Sequence, residues 1–172
     1  MTESGIRFEF VDEQTLLTVD FERMRRAVAK ILEDAGVTRG AMEIAVVPAE
    51  PMHEMNVQFL GHDYVTDVLA FALEDDRDAG LLEGNIVVCS DFAVERAPDY
   101  DWPPEDELLM YAIHGALHLV GYDDHSPEDA PLMRAKEREY LEYVGVDSTR
   151  ARQGDDGDLA AEGIRLNARD NA

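Results

Sequence analysis

The sequence predicts an α+β fold, with a mixed β-sheet of about four strands packed against about five helices. Apolar residues alternate in some segments, as in half-buried strands, and recur every three to four residues in others, as in amphipathic helices. The third observation is size, because 172 residues, of which 45% are hydrophobic, suffice for one domain with its own core. We expect this single domain to span residues 1–146.

The first half of the chain alternates strands with helices. Ile6, Phe8 and Phe10 alternate with charged residues and predict a strand. Asp20 is a suitable N-cap for a helix that Gly36 ends. The other expected elements are a strand over 43–47, a short helix over 51–60, a strand over 68–73, an exposed acidic loop over 74–78, a strand over 85–89 and a short helix from residue 90.

The second half centres on a helix that is apolar on nearly every face. Pro104 and the three acids that follow it suit a helix N-terminus. The segment LLMYAIHGALHLV comes next and predicts a buried helix, which Gly121 is expected to end. A final helix is expected to begin near Ser126 and to end at Gly145. Residues 147–172 are small, polar and charged, and we predict that they are disordered.

Composition and charge argue against several classes of protein. The net charge of −23 disfavours non-specific binding of polyanions by bulk charge. No apolar run reaches the roughly 20 residues that a membrane span needs, and the first residues lack the order of a signal peptide. Cys89 is the only cysteine, so no internal disulfide can form, and the cytoplasm is the expected location.

His114 and His118 are the first candidate metal ligands. They lie four residues apart in the apolar helix, so their side chains project from one face about one turn apart. Burying two imidazoles without partners costs roughly 1–3 kcal/mol each, and a metal ion supplies a partner for both. Gly121 then ends the helix before a polar segment over 122–125, which can fold further ligands onto the pair.

The spacing can be compared with that of zinc peptidases of the zincin type, whose extended pattern is H-E-x-x-H-x-x-G-x-x-H. In that frame His114, His118 and Gly121 are followed by Asp124, an acceptable zinc ligand through oxygen. Gly115 replaces the glutamate that acts as general base, which argues against peptide hydrolysis by the usual route. Three protein ligands leave a position for water, so metal-assisted hydrolysis of another substrate stays open.

Three blocks of sequence, in the same order, resemble the YbeY family of bacterial metal-dependent endoribonucleases. HGALHLVGYDDH is similar to HGxLHLxGYDH, MNVQFLGHDYVTDVLAF to LNxxYRxKDxPTDVLSF, and GNIVVCS to GDIVIS. The resemblance covers roughly residues 5–145 and implies a zincin-like fold with a zinc-dependent single-strand endoribonuclease activity. It also implies maturation of ribosomal RNA, notably the small-subunit 3′ end, a part in ribosome quality control, and the ribosome or small-subunit proteins as partners. We expect one zinc per chain, held by the buried helix and the turn after it.

The third metal ligand depends on how the signature is aligned. Without a gap the family's third histidine falls on Asp124, whereas a one-residue bulge places His125 there, and both stay candidates. With Asp124 as the ligand, His125 becomes a candidate for proton transfer. Asp123 is a candidate for orienting a ligand histidine, or else a solvated turn residue. The candidate catalytic residues are His114, His118, His125 and Asp123.

Departures from the family pattern leave a second function open. Leu60 replaces the arginine of the YR pair and cannot hold a phosphate, so the alternative is a non-catalytic ribosome-assembly factor with a structural metal. Asn56 matches a family asparagine but is equally explained by a local hydrogen bond, and Thr66 and Asp67 are better explained by a turn. The candidates for the missing positive charge are Arg39, Arg77 and Arg96, and the basic helix face that could meet RNA consists of Arg23, Arg25, Arg26 and Lys30.

Overall fold

A computed structural model describes residues 5–150 and 163–165 of the chain. Within them the strands are β1 (Gly5–Asp12), β2 (Arg39–Val47), β3 (Val68–Asp76), β4 (Leu81–Cys89) and β5 (Gly163–Arg165). The helices are α1 (Phe21–Asp34), α2 (Ala49–Leu60), α3 (Ser90–Arg96), α4 (Pro104–Leu119) and α5 (Ala130–Tyr143). The predicted α+β class and its five helices are confirmed.

The strands form one mixed sheet in the order β1-β2-β4-β3-β5. β1, β2 and β4 are parallel neighbours, β3 runs antiparallel to β4, and β5 runs parallel to β3. α1 connects β1 to β2, since a parallel pair needs a long crossover. Four strands match the predicted sheet, and β5 is added at the outer edge of β3.

The segment predicted as a disordered tail, residues 147–172, is described only in part. A single 3-10 turn over Ser148–Arg150 follows α5, and β5 pairs with Ala70, Phe71 and Ala72 of β3. The remaining tail residues lie outside the described part of the chain. The prediction of disorder there, and with it the boundary of the domain at residue 146, stays a prediction.

Two local predictions are wrong. The expected exposed loop over 74–78 is partly strand, because β3 continues to Asp76 and pairs with β4 from Leu81 onward, after a bulge between Ala72 and Glu74. Backbone pairing outweighs the weak strand preference of acidic residues there. The last helix begins at Ala130 and not near Ser126, and the Ser126 hydroxyl accepts from the Asp129 amide in a turn that precedes the helix.

Two apolar clusters cover opposite faces of the sheet. Ile44 and Val46 of β2 belong to the larger cluster, which α1, α4 and α5 complete, whereas Ala45 and Val47 belong to the smaller cluster beneath α2. α4 is the central helix of the larger cluster and is buried from Glu107 to Leu119. Among the described residues no helix is long and apolar enough to span a membrane.

Gly115 allows α4 to pack closely against the sheet. A Cβ at this position would lie 3.0 Å from Ile86 Cγ2 and 3.2 Å from Val68 Cγ2, which is tighter than ordinary contacts between packed side chains. In the zinc peptidase pattern this position carries the general base. In this chain a glycine stands there and leaves room for α4 to pack closely on β3 and β4. This packing places the two histidines of α4 inside the domain.

Candidate metal centre

The C-terminal half of α4 carries both predicted histidines into the protein interior. His114 is fully buried and His118 is 8% exposed. Their Nε2 atoms are 2.9 Å apart, and the two rings stand nearly perpendicular to each other. Both rings thus direct a nitrogen of the same type toward one point, as metal-binding histidine pairs do.

The turn after α4 brings Asp124 to this point. Gly121 has a φ of +107°, a conformation that favours glycine, and its amide donates to the carbonyl of His118. Asp124 Oδ2 then lies 3.6 Å from His114 Nε2, and Asp124 Oδ1 lies 3.6 Å from His118 Nε2. The Asp124 side chain is 8% exposed, so three potential ligands face one another in a nearly closed site.

The spacing of these three groups fits a small divalent metal ion. One donor atom from each of His114, His118 and Asp124 lies within 4.8 Å of the other two. Zinc binds such atoms at about 2.0–2.2 Å, so neighbouring ligand atoms of a tetrahedral site lie roughly 3.3–3.6 Å apart. Asp124 is 3.6 Å from each ring, through Oδ2 to His114 and through Oδ1 to His118, which is close to this value. The two Nε2 atoms are 2.9 Å apart and would move slightly away from each other around a bound ion.

The protonation state of His118 also suits a ligand. Burial, followed by the neighbouring His114 ring, lowers the pKa of His118 to about 4. The imidazole of His118 is therefore neutral at pH 7 and retains a lone pair. Metal ions bind histidine in this neutral form.

α5 contributes two buried charged residues that sequence analysis did not single out. Arg134 is 3% exposed and Glu137 is 1% exposed. Arg134 Nη2 donates to Asp124 Oδ2 at 3.2 Å, and Arg134 Nη1 donates to both carboxylate oxygens of Glu137. Glu137 Oε2 in turn lies 3.6 Å from His114 Nδ1. An Arg and a Glu three residues apart are common on exposed helix faces, so their spacing alone does not reveal that they are buried beside Asp124 and His114.

His125 and Asp123 lie on the solvent side of the site. The His125 side chain is 58% exposed, and its Nδ1 is 4.0 Å from Asp124 Oδ1. Asp123 Oδ1 accepts hydrogen bonds from the amides of Asp124 and His125 at 2.7 and 3.2 Å, and it lies 3.4 Å from His125 Nε2. Asp123 therefore stabilises the turn. The carboxylate beside the second ring nitrogen of His114 is that of Glu137 and not that of Asp123.

The polar residues of the second family-like block have local partners. Asn56 Nδ2 donates to the Tyr64 carbonyl at 2.9 Å. Asp67 Oδ1 accepts from the Val68 amide at 2.8 Å and from Thr66 Oγ1 at 3.2 Å. Asn56, Thr66 and Asp67 are all buried. This geometry favours the structural interpretation, in which they hold the connection between α2 and β3.

The basic residues considered for RNA or phosphate are mostly engaged elsewhere. On α1, Arg23 contacts Asp106 of α4 at 2.9 Å, and Arg25 and Lys30 pair with acids one turn away. These ion pairs weaken the positive potential that α1 offers to a phosphate. Arg77 Nη2 donates to the carbonyl of Val120 at 2.6 Å and so anchors the end of α4.

Leu60 ends α2, and its side chain is partly buried against the smaller apolar cluster. Of the two other arginines considered in its place, Arg39 contacts the carbonyl of Ala79 in the β3–β4 connection. Arg96 lies over the ring of Phe92 within α3. Both arginines are thus engaged in other contacts.

Comparison with known proteins gives a consistent result. The family model described as "Endoribonuclease YbeY" matches residues 9–145. The endoribonuclease YbeY of Rhodopirellula baltica is 37% identical over 65% of this chain and 58% of that protein. The endoribonuclease YbeY of Sulfurovum sp. is 38% identical over 81% of this chain and 92% of that protein.

A solved structure supports the same assignment. The solution structure of a Thermotoga maritima protein is 30% identical, with a TM-score of 0.56 over 81% of this chain and 88% of that one. The family match spans the second half of β1, all of β2, β3 and β4, α4, the turn with Asp124 and α5. The chain therefore belongs to the endoribonuclease YbeY family.

Proposed function

We propose that this chain is a zinc-dependent endoribonuclease that cuts single-stranded RNA. Its proposed role is maturation of ribosomal RNA in the cytoplasm, notably at the small-subunit 3′ end, together with ribosome quality control. The observation that carries the proposal is the buried group of His114, His118 and Asp124 in a member of a nuclease family. His114, His118 and Asp124 are the proposed zinc ligands, and His125 remains the alternative third ligand.

The side chains around this site have complementary tasks in hydrolysis. Bound zinc would supply a Lewis acid and a water molecule with a pKa near 7. Hydrolysis joins the water oxygen to phosphorus, with loss of one water proton to solvent, and breaks the bond from phosphorus to the leaving ribose oxygen, which takes up a proton. His125 is exposed beside Asp124 and is the proposed donor of that proton. Asp123 supports His125 through the turn that it caps.

RNA binding by this chain needs help from a partner. A net charge of −23 repels phosphate at long range, and three basic residues of α1 are paired with acids. We therefore expect the ribosome, or proteins of its small subunit, to bring the chain and the RNA together. Once the partner holds both, the repulsion is offset by a high local concentration of RNA.

The alternative function is a ribosome-assembly factor that keeps a structural metal and does not cut RNA. Leu60 favours it, because a leucine cannot make the charge-assisted hydrogen bonds to phosphate that an arginine makes, each worth roughly 1.5–3 kcal/mol. If one or two such bonds are missing in the transition state, the enzyme is about 10- to 10³-fold slower. We expect weak but metal-dependent cleavage.

The test measures cleavage of a single-stranded RNA oligonucleotide by zinc-loaded protein. The wild type should cleave above the level of His114→Ala, and Leu60→Arg should raise the rate about 10- to 10³-fold without a change in zinc content. Leu60 ends α2 and is only partly buried, so a long arginine can reach solvent there. Leu60→Met is the matched control. No cleavage by the wild type above the His114→Ala level, and none restored by Leu60→Arg, would favour the non-catalytic assembly factor instead.

A further inference from the structure

Arg134 of α5 lies between the two buried carboxylates of the metal centre. We infer that Arg134 is a positioning residue that fixes Asp124 as the third metal ligand and Glu137 as the partner of His114. The inference rests on the proposed metal centre and extends it to a residue outside the ligand set.

The first step concerns the carboxylate of Asp124. Arg134 Nη2 binds Oδ2 at 3.2 Å, while Oδ1 lies 3.6 Å from the Nε2 of His118. With Oδ2 engaged by the guanidinium, the rotation of the carboxylate is restricted, and Oδ1 is the oxygen left to bind a metal. A ligand held in its binding orientation loses less conformational entropy when the metal arrives.

The second step concerns the carboxylate of Glu137. The other terminal nitrogen of the guanidinium, Arg134 Nη1, donates to both oxygens of Glu137, one of them at 2.7 Å. Glu137 Oε2 lies 3.6 Å from the Nδ1 of His114, the ring nitrogen opposite the one that faces Asp124. A carboxylate beside the second ring nitrogen of a ligand histidine fixes the ring and makes it a stronger ligand. One arginine therefore orients a group on each side of the His114 ring.

The third step concerns charge. Asp124, Glu137 and Arg134 are all nearly inaccessible to solvent, and an unpaired charge in such a place is strongly unfavourable. Asp124 and Glu137 bring two negative charges to this buried place, and Arg134 supplies one positive charge that contacts both. A planar guanidinium can serve both carboxylates at once, which the single ammonium group of lysine cannot do with the same geometry.

The experiment uses Co²⁺ as the probe, because its visible absorption depends on the arrangement of its ligands. Affinity is measured by competition with a chelator for the wild type, Arg134→Met, Arg134→Lys and the control Arg138→Lys. Arg138 lies one turn further along α5 and is only partly buried. We expect Arg134→Met to lower the Co²⁺ affinity about 10–100-fold, as loss of a residue that orients a ligand usually does. Arg134→Lys should show a smaller loss and an altered spectrum, and Arg138→Lys should show neither.

A double-mutant comparison shows whether Arg134 acts through Asp124. When Asp124 is already alanine, the further loss caused by Arg134→Met should be at most half as large on a logarithmic scale. If Arg134→Met fails to fold, Arg134→Lys decides the question. If Arg134→Lys has the affinity and the spectrum of the wild type, the inference about Arg134 is wrong. If His114→Ala loses Co²⁺ in the same experiment, the proposed metal centre is still supported. Full Co²⁺ binding by His114→Ala would overturn both.

Discussion

Two groups of buried polar side chains lie in this domain, and they differ in what their polar atoms face. At the end of α4, the side chains of His114, His118 and Asp124 point at one another. Between α2 and β3, those of Asn56 and Asp67 bond to the backbone of nearby residues. Burial is nearly complete in both groups, so burial alone does not identify a functional site.

The partners of the two groups also differ in their distance along the chain. Asn56 bonds to a carbonyl eight residues away, and Asp67 bonds to the adjacent amide. In the metal centre, by contrast, side chains of α4 and α5 meet at the turn that joins the two helices. The local group stabilises a loop, whereas the converging group leaves donor atoms directed at a common point.

The largest predicted effect is the loss of metal from His114→Ala. This variant removes one of the three proposed ligands, and we expect it to retain no zinc after dialysis, whereas the wild type should carry close to one zinc per chain. Because the metal contributes to folding free energy, the melting temperature of His114→Ala should fall as well. Zinc content is measured by elemental analysis.

His62→Ala is the matched control for this prediction. His62 is partly exposed, contacts Tyr64 just after α2 and is not part of the group formed by His114, His118 and Asp124. It should keep full zinc content. Full zinc content in His114→Ala would mean that the converging group does not bind metal.

The next prediction compares the two candidates for the third ligand. Asp124 is buried between the histidines and His125 is exposed, so Asp124→Ala should weaken zinc binding by more than about 100-fold and His125→Ala by at most about threefold. A chelator titration of both variants measures the difference. If His125→Ala alone removes the metal, the bulged alignment is right and the gapless one is wrong.

The sequence predicted much of the geometry of the candidate metal centre because helix geometry is local. Two histidines four residues apart in an apolar helix must share a buried face, and Gly121 must end that helix. The choice between Asp124 and His125 stayed open because turn register depends on contacts beyond the turn. Here Arg134 of α5 provides such a contact with Asp124.

The features that sequence analysis missed depend on long-range contacts. The ion pair of Arg134 and Glu137 has the spacing of an ordinary surface pair, and only the packing of α5 against α4 buries it. β3 extends through acidic residues because β4 pairs with it, and β5 joins β3 from far along the chain. Each pairing depends on a second segment of the chain, so the pattern of apolar residues within one segment does not reveal it.

A further prediction concerns the pH dependence of the metal-free protein. Burial depresses the pKa of His118 to about 4, whereas an unfolded chain binds a proton at this residue below about pH 6.5. The unfolded state therefore gains a proton first as the pH falls, and stability should decrease from pH 6.5 down to about pH 4. Over this pH range the free energy of unfolding should fall by about 3 kcal/mol.

Urea denaturation at a series of pH values measures this dependence. His118→Ala should remove most of the slope between pH 6.5 and pH 4, and His62→Ala should leave it unchanged. An equal slope in His118→Ala and the wild type would show that His118 does not resist protonation in the folded state.

The smallest predicted effect tests the local group. Asn56→Ala removes the donor to the Tyr64 carbonyl, and a hydrogen bond of this kind contributes about 0.5–1.5 kcal/mol, so the free energy of unfolding should fall by this amount. Zinc affinity should not change, because the bond of Asn56 holds a loop. Gln58→Ala, at an exposed position of the same helix, should leave both quantities nearly unchanged. If folded Asn56→Ala binds zinc more weakly while Gln58→Ala does not, the loop between α2 and β3 contributes to the metal centre, and the distinction between local and converging polar groups fails for this domain.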